Sequence, residues 1–211
     1  MKKIKIFTLL TALSFSIIIL PITAISCKQS QENTEKSTKI KQIKDDFEKI
    51  YKFNVFAEEL GIKKELDDLN ETINVINYDT DIENINKISS QMSVVISNIN
   101  DMNKQLKHGL EIEKYVFNQT NIKASEVVAD LKKQISWNDI KNIFQKYAIN
   151  YFESEIPNSW TLSVEESTHA HDKTGIIHLR INVKDKDNLI ATDSFTLIGF
   201  KKIEDAEDFD D

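Results

Sequence analysis

Two places in the 211-residue sequence hold side chains whose type and spacing suit chemistry. The first is Cys27, the one cysteine of the chain, preceded by Ala24-Ile25-Ser26 and followed at once by Lys28. A thiol is a nucleophile that accepts a diacylglycerol group, and small residues just before it suit a peptidase that cuts on its N-terminal side. A single cysteine excludes an intramolecular disulfide. The second place is His169-Ala170-His171-Asp172. Alternate residues of an extended segment share a side, so His169 and His171 stand together with Asp172, and His178, nearby, a set that suits zinc. The His-x-His spacing is common, however, and no Cys or Glu at ligand spacing completes a shell. The plain reading is a polar hairpin connection between strands, without metal or cofactor.

Other chemistry lacks its residues. The glycines at 61, 109, 175 and 199 never come closer than 24 residues to one another, which excludes a Gly-rich phosphate loop. There is no Gly-x-Ser-x-Gly elbow, and no motif sets two of the many carboxylates as an acid/base pair. Glu204 to Asp211 holds six acidic residues in eight but lacks the turn glycine and alternating ligands of a calcium loop, so it reads as a solvated, disordered end. Asn70-Glu71-Thr72 and Asn118-Gln119-Thr120 match a glycosylation sequon that is silent in a bacterium. The sequence is read as non-enzymatic.

The elements that carry these residues begin with Lys2, Lys3 and Lys5, followed by 22 uncharged residues from Ile6 to Cys27. Length alone suits a membrane span. The basic start, the apolar stretch Ile6 to Leu20, the break at Pro21 and the small residues before Cys27 instead resemble the lipobox of bacterial lipoproteins, although a Leu at position 24 is more typical. Residues 1–26 are thus expected to be a signal peptide, and Cys27 the lipidated first residue of a 185-residue mature chain. Losing Lys2, Lys3 and Lys5 leaves 24 basic against 34 acidic side chains, a net charge of −10. Such a body is repelled by phosphates, so nucleic acid is not expected as a partner, and the membrane is reached through acyl chains on Cys27.

Residues 27–38 are polar and read as a flexible tether. Ile40, Ile43, Phe47 and Ile50 follow helical spacing, continued by Val55, Phe56 and Leu60 to Gly61. Leu66, Leu69, Ile73 and Ile76 follow Ile62 at 3-4 spacing, and Ile85, Ile88, Met92, Val95, Ile99, Met102 and Leu106 extend the pattern with Thr80 or Asp81 as cap. Residues 39–110 are therefore expected to form an antiparallel helical bundle. An alternative is that the third stripe forms a coiled coil with another copy or a partner. Further on, Ala124 to Leu131 and a helix capped at Ser136 precede alternating strands at Trp160–Val164, Ile177–Val183 and Leu189–Phe200. The expected class is α+β, an N-terminal antiparallel helical region followed by two helices and a three-stranded antiparallel meander, with residues 203–211 an acidic disordered tail.

The C-terminal part carries a family resemblance in three places. Ala124-Ser125-Glu126-Val127-Val128 stands at its start, Asp172-Lys173-Thr174-Gly175 leads into Ile177-His178-Leu179-Arg180-Ile181-Asn182-Val183, and Ser194-Phe195-Thr196-Leu197-Ile198-Gly199-Phe200-Lys201 closes it. Residues 122–202 resemble the lipoprotein-associated domain of variable surface lipoproteins of mycoplasmas and ureaplasmas, the lipoprotein seventeen type. The resemblance implies a cell-surface lipoprotein of a wall-less bacterium, held on the extracellular face, with no catalytic residues to carry over. One copy of the domain is found, and the helical region does not repeat it, so repeat-driven size variation is not implied. The partners expected are the membrane, and a host extracellular protein or antibody. The alternatives are self-association in a structural scaffold, or a transporter's solute-binding lipoprotein, for which 185 residues with few glycines are short.

Overall fold

The computed structural model describes residues 28–206. Helix α1 spans Lys28–Tyr51, a 3-10 turn follows at Lys52–Phe56, and α2 (Ala57–Leu60) ends at Gly61, whose left-handed φ of 64° closes it. Helix α1 runs back through the polar stretch read as a flexible tether. Lys, Gln and Glu are good helix formers, no Gly or Pro interrupts them, and the packed half of α1 supplies the nucleus that an isolated segment lacks. Helix α3 (Lys63–Val75) buries Leu66, Leu69 and Ile73, and α4 (Ile82–Asn103) is capped by the Asp81 carboxylate accepting from the Glu83 N–H at 3.2 Å. The Lys36 Nζ donates to the Tyr78 carbonyl and the Lys39 Nζ to Asn86 Oδ1, so α1 and α4 start at the same end and α3 runs back between their ends.

Two expectations about these helices are corrected. Val55 is 74% exposed, because the 3-10 turn breaks the stripe and turns Phe53 and Phe56 inward instead. Helix α4 stops at Asn103, and its stripe does not extend to Leu106, which is 61% exposed. The side chain of Asn103 ends the helix: its Oδ1 accepts from the Tyr115 N–H at 2.9 Å while its carbonyl accepts from the Lys114 N–H at 2.7 Å. The remaining α4 stripe (Ile85, Ile88, Met92, Val95 and Ile99) is buried within its own chain.

The helical region is not followed by a three-stranded meander. Strands β1 (Lys104–Lys107), β2 (Leu110–Glu113) and β4 (Tyr151–Glu153) form one antiparallel sheet in the order β1-β2-β4. A second sheet has the order β3-β8-β7-β5, made of β3 (Tyr115–Lys123), β8 (Asn188–Lys201), β7 (Ile176–Asp185) and β5 (Trp160–Val164). Strand β6 (His169–His171) pairs β7 beyond the end of β5. Strand β3 lies parallel to β8, and the other pairings are antiparallel. The fold is α+β, but with two sheets in place of one meander. The missed strands are short or polar: β2 alternates as Leu110-Glu111-Ile112-Glu113 but over four residues only, and β3 is polar beyond its first residues, so neither shows a sustained period.

Helices α5 (Ala124–Lys132) and α6 (Trp137–Lys146) cover one face of the larger sheet, and Ser136 caps α6 by accepting from the Asp139 N–H. Ile177, Leu179, Ile181 and Val183 project from β7 into a core shared with Val127, Leu131, Ile140 and Phe144, which Leu110 and Ile112 of the smaller sheet close. The other face, at Tyr115, Phe117, Ile176 and Ile198, packs against the N-terminal helices. Phe53 and Phe56 meet Tyr115 and Phe117 there, with ring centroids 4.8–6.4 Å apart and edge-on or tilted, the geometry that aromatic quadrupoles favour.

Candidate functional site

Cys27 and the signal peptide expected at 1–26 lie outside the described residues, as do the last five residues of the acidic tail. The described part of helix α1 begins at Lys28. Residues 34–39 of that helix have no buried side chain, and Ile40 is buried. Among the described residues no helix is long and apolar enough to cross a membrane.

The histidines are brought together by strand pairing. His169 and His171 occupy the ends of β6 and point to one side, while Ala170 between them packs on the core. On β7, His178 alternates with the buried Ile177 and Leu179 and so faces the same side as its partners. The register sets His169 directly opposite His178, and His171 opposite Ile176. The three rings lie with centroids 5.0–5.1 Å apart, and one nitrogen from each falls within 4.8 Å of the others.

Asp172 is not part of this cluster. Its carboxylate accepts from the Ser125 N–H at 2.9 Å and from the Ser125 hydroxyl at 2.6 Å, which holds the first turn of α5. The sequence pattern placed Asp172 beside the histidines because it is adjacent in the chain, whereas the chain turns at Asp172 and directs the carboxylate to a helix start. The ligand set offered by the fold is therefore His169, His171 and His178.

Two residues that carry no metal-like signature position the set. Thr168 is fully buried and stands at the break between β5 and β6. Its hydroxyl accepts from the Arg180 N–H at 2.9 Å and donates to the Arg180 carbonyl at 3.2 Å, replacing a backbone pair where the edge strand bends. Ser167 acts on the ring next to it. The His169 Nδ1 lies 2.9 Å from the Ser167 carbonyl, which only accepts, so in the neutral ring Nδ1 carries the proton and Nε2 the lone pair. The Ser167 hydroxyl also bonds Glu165, and this holds the Glu165 carboxyl below its usual range.

A second polar group lies on the far side of the larger sheet. Asp130 on α5 accepts from the Lys146 Nζ at 2.7 Å, from the Tyr147 hydroxyl at 2.8 Å and from the Lys133 Nζ at 3.2 Å. These donors, Lys146 first, hold its carboxyl well below the usual carboxylate range, and Asp130 in turn raises Lys146. Burial pushes the Tyr147 hydroxyl up. The arrangement clamps α5 to the end of α6. A third pair, the His108 Nδ1–H donating to the buried Asp193 at 2.8 Å, joins the β1–β2 turn to β8. In both cases every charged group faces a partner within the chain, which suits joints between elements. Compared with known proteins, the chain matches no family model, no curated protein and no solved structure.

Proposed function

We propose that the chain is a membrane-anchored surface lipoprotein of the lipoprotein seventeen type, held by acyl chains on Cys27 and displaying a non-catalytic body on the extracellular face of a wall-less bacterium. Its role is contact with a host extracellular protein or antibody. The observation that carries the reading is the basic start and 22-residue uncharged run ending in Ala-Ile-Ser-Cys, with the single cysteine where lipidation needs it.

Two structural observations support it. Helix α1 is described from Lys28, and from residue 34 onward its first buried residue is Ile40. The six exposed or half-buried residues 34–39, at about 1.5 Å each, set at least roughly 9 Å of helix between an acylated cysteine and the packed body. The segments of the family resemblance also meet in space. Asp172 bonds Ser125, the Gly175 carbonyl accepts from the Phe200 N–H at 3.3 Å, and a Cβ at Gly175 would stand 2.4 Å from the Phe200 carbonyl oxygen. The scaffold alternative relied on the α4 stripe, which the chain itself buries.

Labelling with a radioactive fatty acid tests the anchor. The wild-type chain is expected to incorporate label, to partition into detergent and to lose its body when intact cells are treated with protease. Cys27→Ser is expected to stay unlabelled at precursor mass. Label in Cys27→Ser, or protection of the wild-type body on intact cells, would overturn the reading.

A further inference from the structure

We propose that His169, His171 and His178 form a binding site for a divalent ion of the zinc class, with three imidazole ligands from β6 and β7 and a fourth position open to solvent. Zinc takes imidazole nitrogens at about 2.0–2.1 Å in a tetrahedron, which sets neighbouring nitrogens roughly 3.3–3.4 Å apart. The three nitrogens lie within 4.8 Å of one another. The approach still required is about 1 Å or a little more, within reach of small χ rotations of half-buried rings on fixed backbone.

The backbone is fixed. Antiparallel pairing sets His169 against His178, Ala170 anchors the middle of β6 in the core, and the Thr168 hydroxyl locks the entry to β6 onto Arg180. The Ser167 carbonyl holds the proton of His169 on Nδ1 and so presents Nε2 as the donor. A histidine ligand oriented by a backbone carbonyl on its other nitrogen is the usual second layer of a metal site.

The donor set also selects the ion. Imidazole suits zinc, copper and nickel, whereas magnesium and calcium need oxygen. The carboxylate adjacent in sequence, Asp172, is committed to Ser125. Arg180 stands two residues beyond His178 on the same side of β7, and its guanidinium is directed to the Ser167 hydroxyl at 2.9 Å. Three protein nitrogens with one exchangeable position are the ligand pattern of an accessible site rather than of a closed structural one.

The test is a titration of the purified full chain with zinc chloride, followed through the imidazole resonances. The chain has four histidines, of which His108 lies outside the cluster and serves as internal control. At one equivalent of zinc, the resonances of His169, His171 and His178 are expected to shift together and those of His108 to stay in place. Equilibrium dialysis should give one zinc per chain, with affinity at least tenfold weaker in His169→Ala, His171→Ala and His178→Ala taken singly, and unchanged in Asp172→Asn. No response of the three rings at ten equivalents would overturn the proposal, as would a response of His108 equal to theirs. Wild-type affinity in the triple alanine variant would overturn it as well. The resonance experiment uses the wild-type chain and stands even if a variant fails to fold.

Discussion

Thr168 shows how one side chain stands in for a peptide group. Its hydroxyl both accepts from and donates to the backbone of Arg180 at a point where β5 has ended and β6 has not begun. Thr168→Val keeps the shape and removes the hydroxyl, leaving the Arg180 N–H without its acceptor while the Arg180 carbonyl keeps the Glu165 N–H at 2.8 Å. A loss of about 1–3 kcal/mol is expected in denaturant unfolding, together with weaker zinc binding, since His169 follows directly. Asp130 gives a prediction in pH. Its carboxyl binds protons less readily in the folded chain than in the unfolded one, because Lys146, Tyr147 and Lys133 donate to it. The stabilisation is therefore complete above the ordinary carboxylate pKa of about 4 and is lost as the pH falls from there through the depressed folded value. Glu165, lowered by Ser167, moves in the same direction. Asp130→Asn is expected to cost about 1 kcal/mol at neutral pH, allowing for partial exposure. Its melting temperature should converge on that of the wild type as the pH falls from about 5 toward 2, and a gap that stays constant would contradict the assignment.

Among the elements, those whose pattern is local were readable and those whose partner is distant were not. Ile85, Ile88, Met92, Val95 and Ile99 announce α4 by their own spacing, and Ile177 to Val183 announce β7 by alternation. Gly61 and Ser136 marked a helix end and a helix start by their chemistry. By contrast β4 and β6 are three residues each, too short for a period to show. Strand β3 buries Tyr115 and Val116 and then has no buried residue, because its pairing with β8 is what makes it a strand. The end of α4 shows the same limit. Nothing in the spacing separates Ile99 from Leu106, yet Asn103 stops the helix by using its side chain on a strand twelve residues later. At the candidate site, alternation pairs His169 with His171, while the β6–β7 register brings His178 to them and only the fold shows that Asp172 serves α5. Asn103→Ala tests the helix-to-strand joint. It removes the acceptor for the Tyr115 N–H and is expected to cost about 1–3 kcal/mol by denaturant titration, with increased amide exchange at Tyr115.

At the scale of the whole molecule, the N-terminal helices and the sheet are joined by aromatic rings. Phe56 touches both Tyr115 and Phe117 and is almost wholly buried. Phe56→Ala is expected to cost about 3–5 kcal/mol and to separate the unfolding of the helices from that of the sheet, so that one transition in calorimetry becomes two. A single unchanged transition would show that the joint lies elsewhere. The order of the larger sheet carries a further consequence. Strand β8, Asn188–Lys201, lies between β3 and β7, so the last strand of the described chain sits inside the sheet and not at its edge. As the polypeptide is synthesised, β3 emerges more than sixty residues before the strand it must pair with. Strands β3 and β7 are therefore joined only once β8 has left the ribosome, and under the proposed lipoprotein reading the larger sheet is still open while a secretion channel threads the chain.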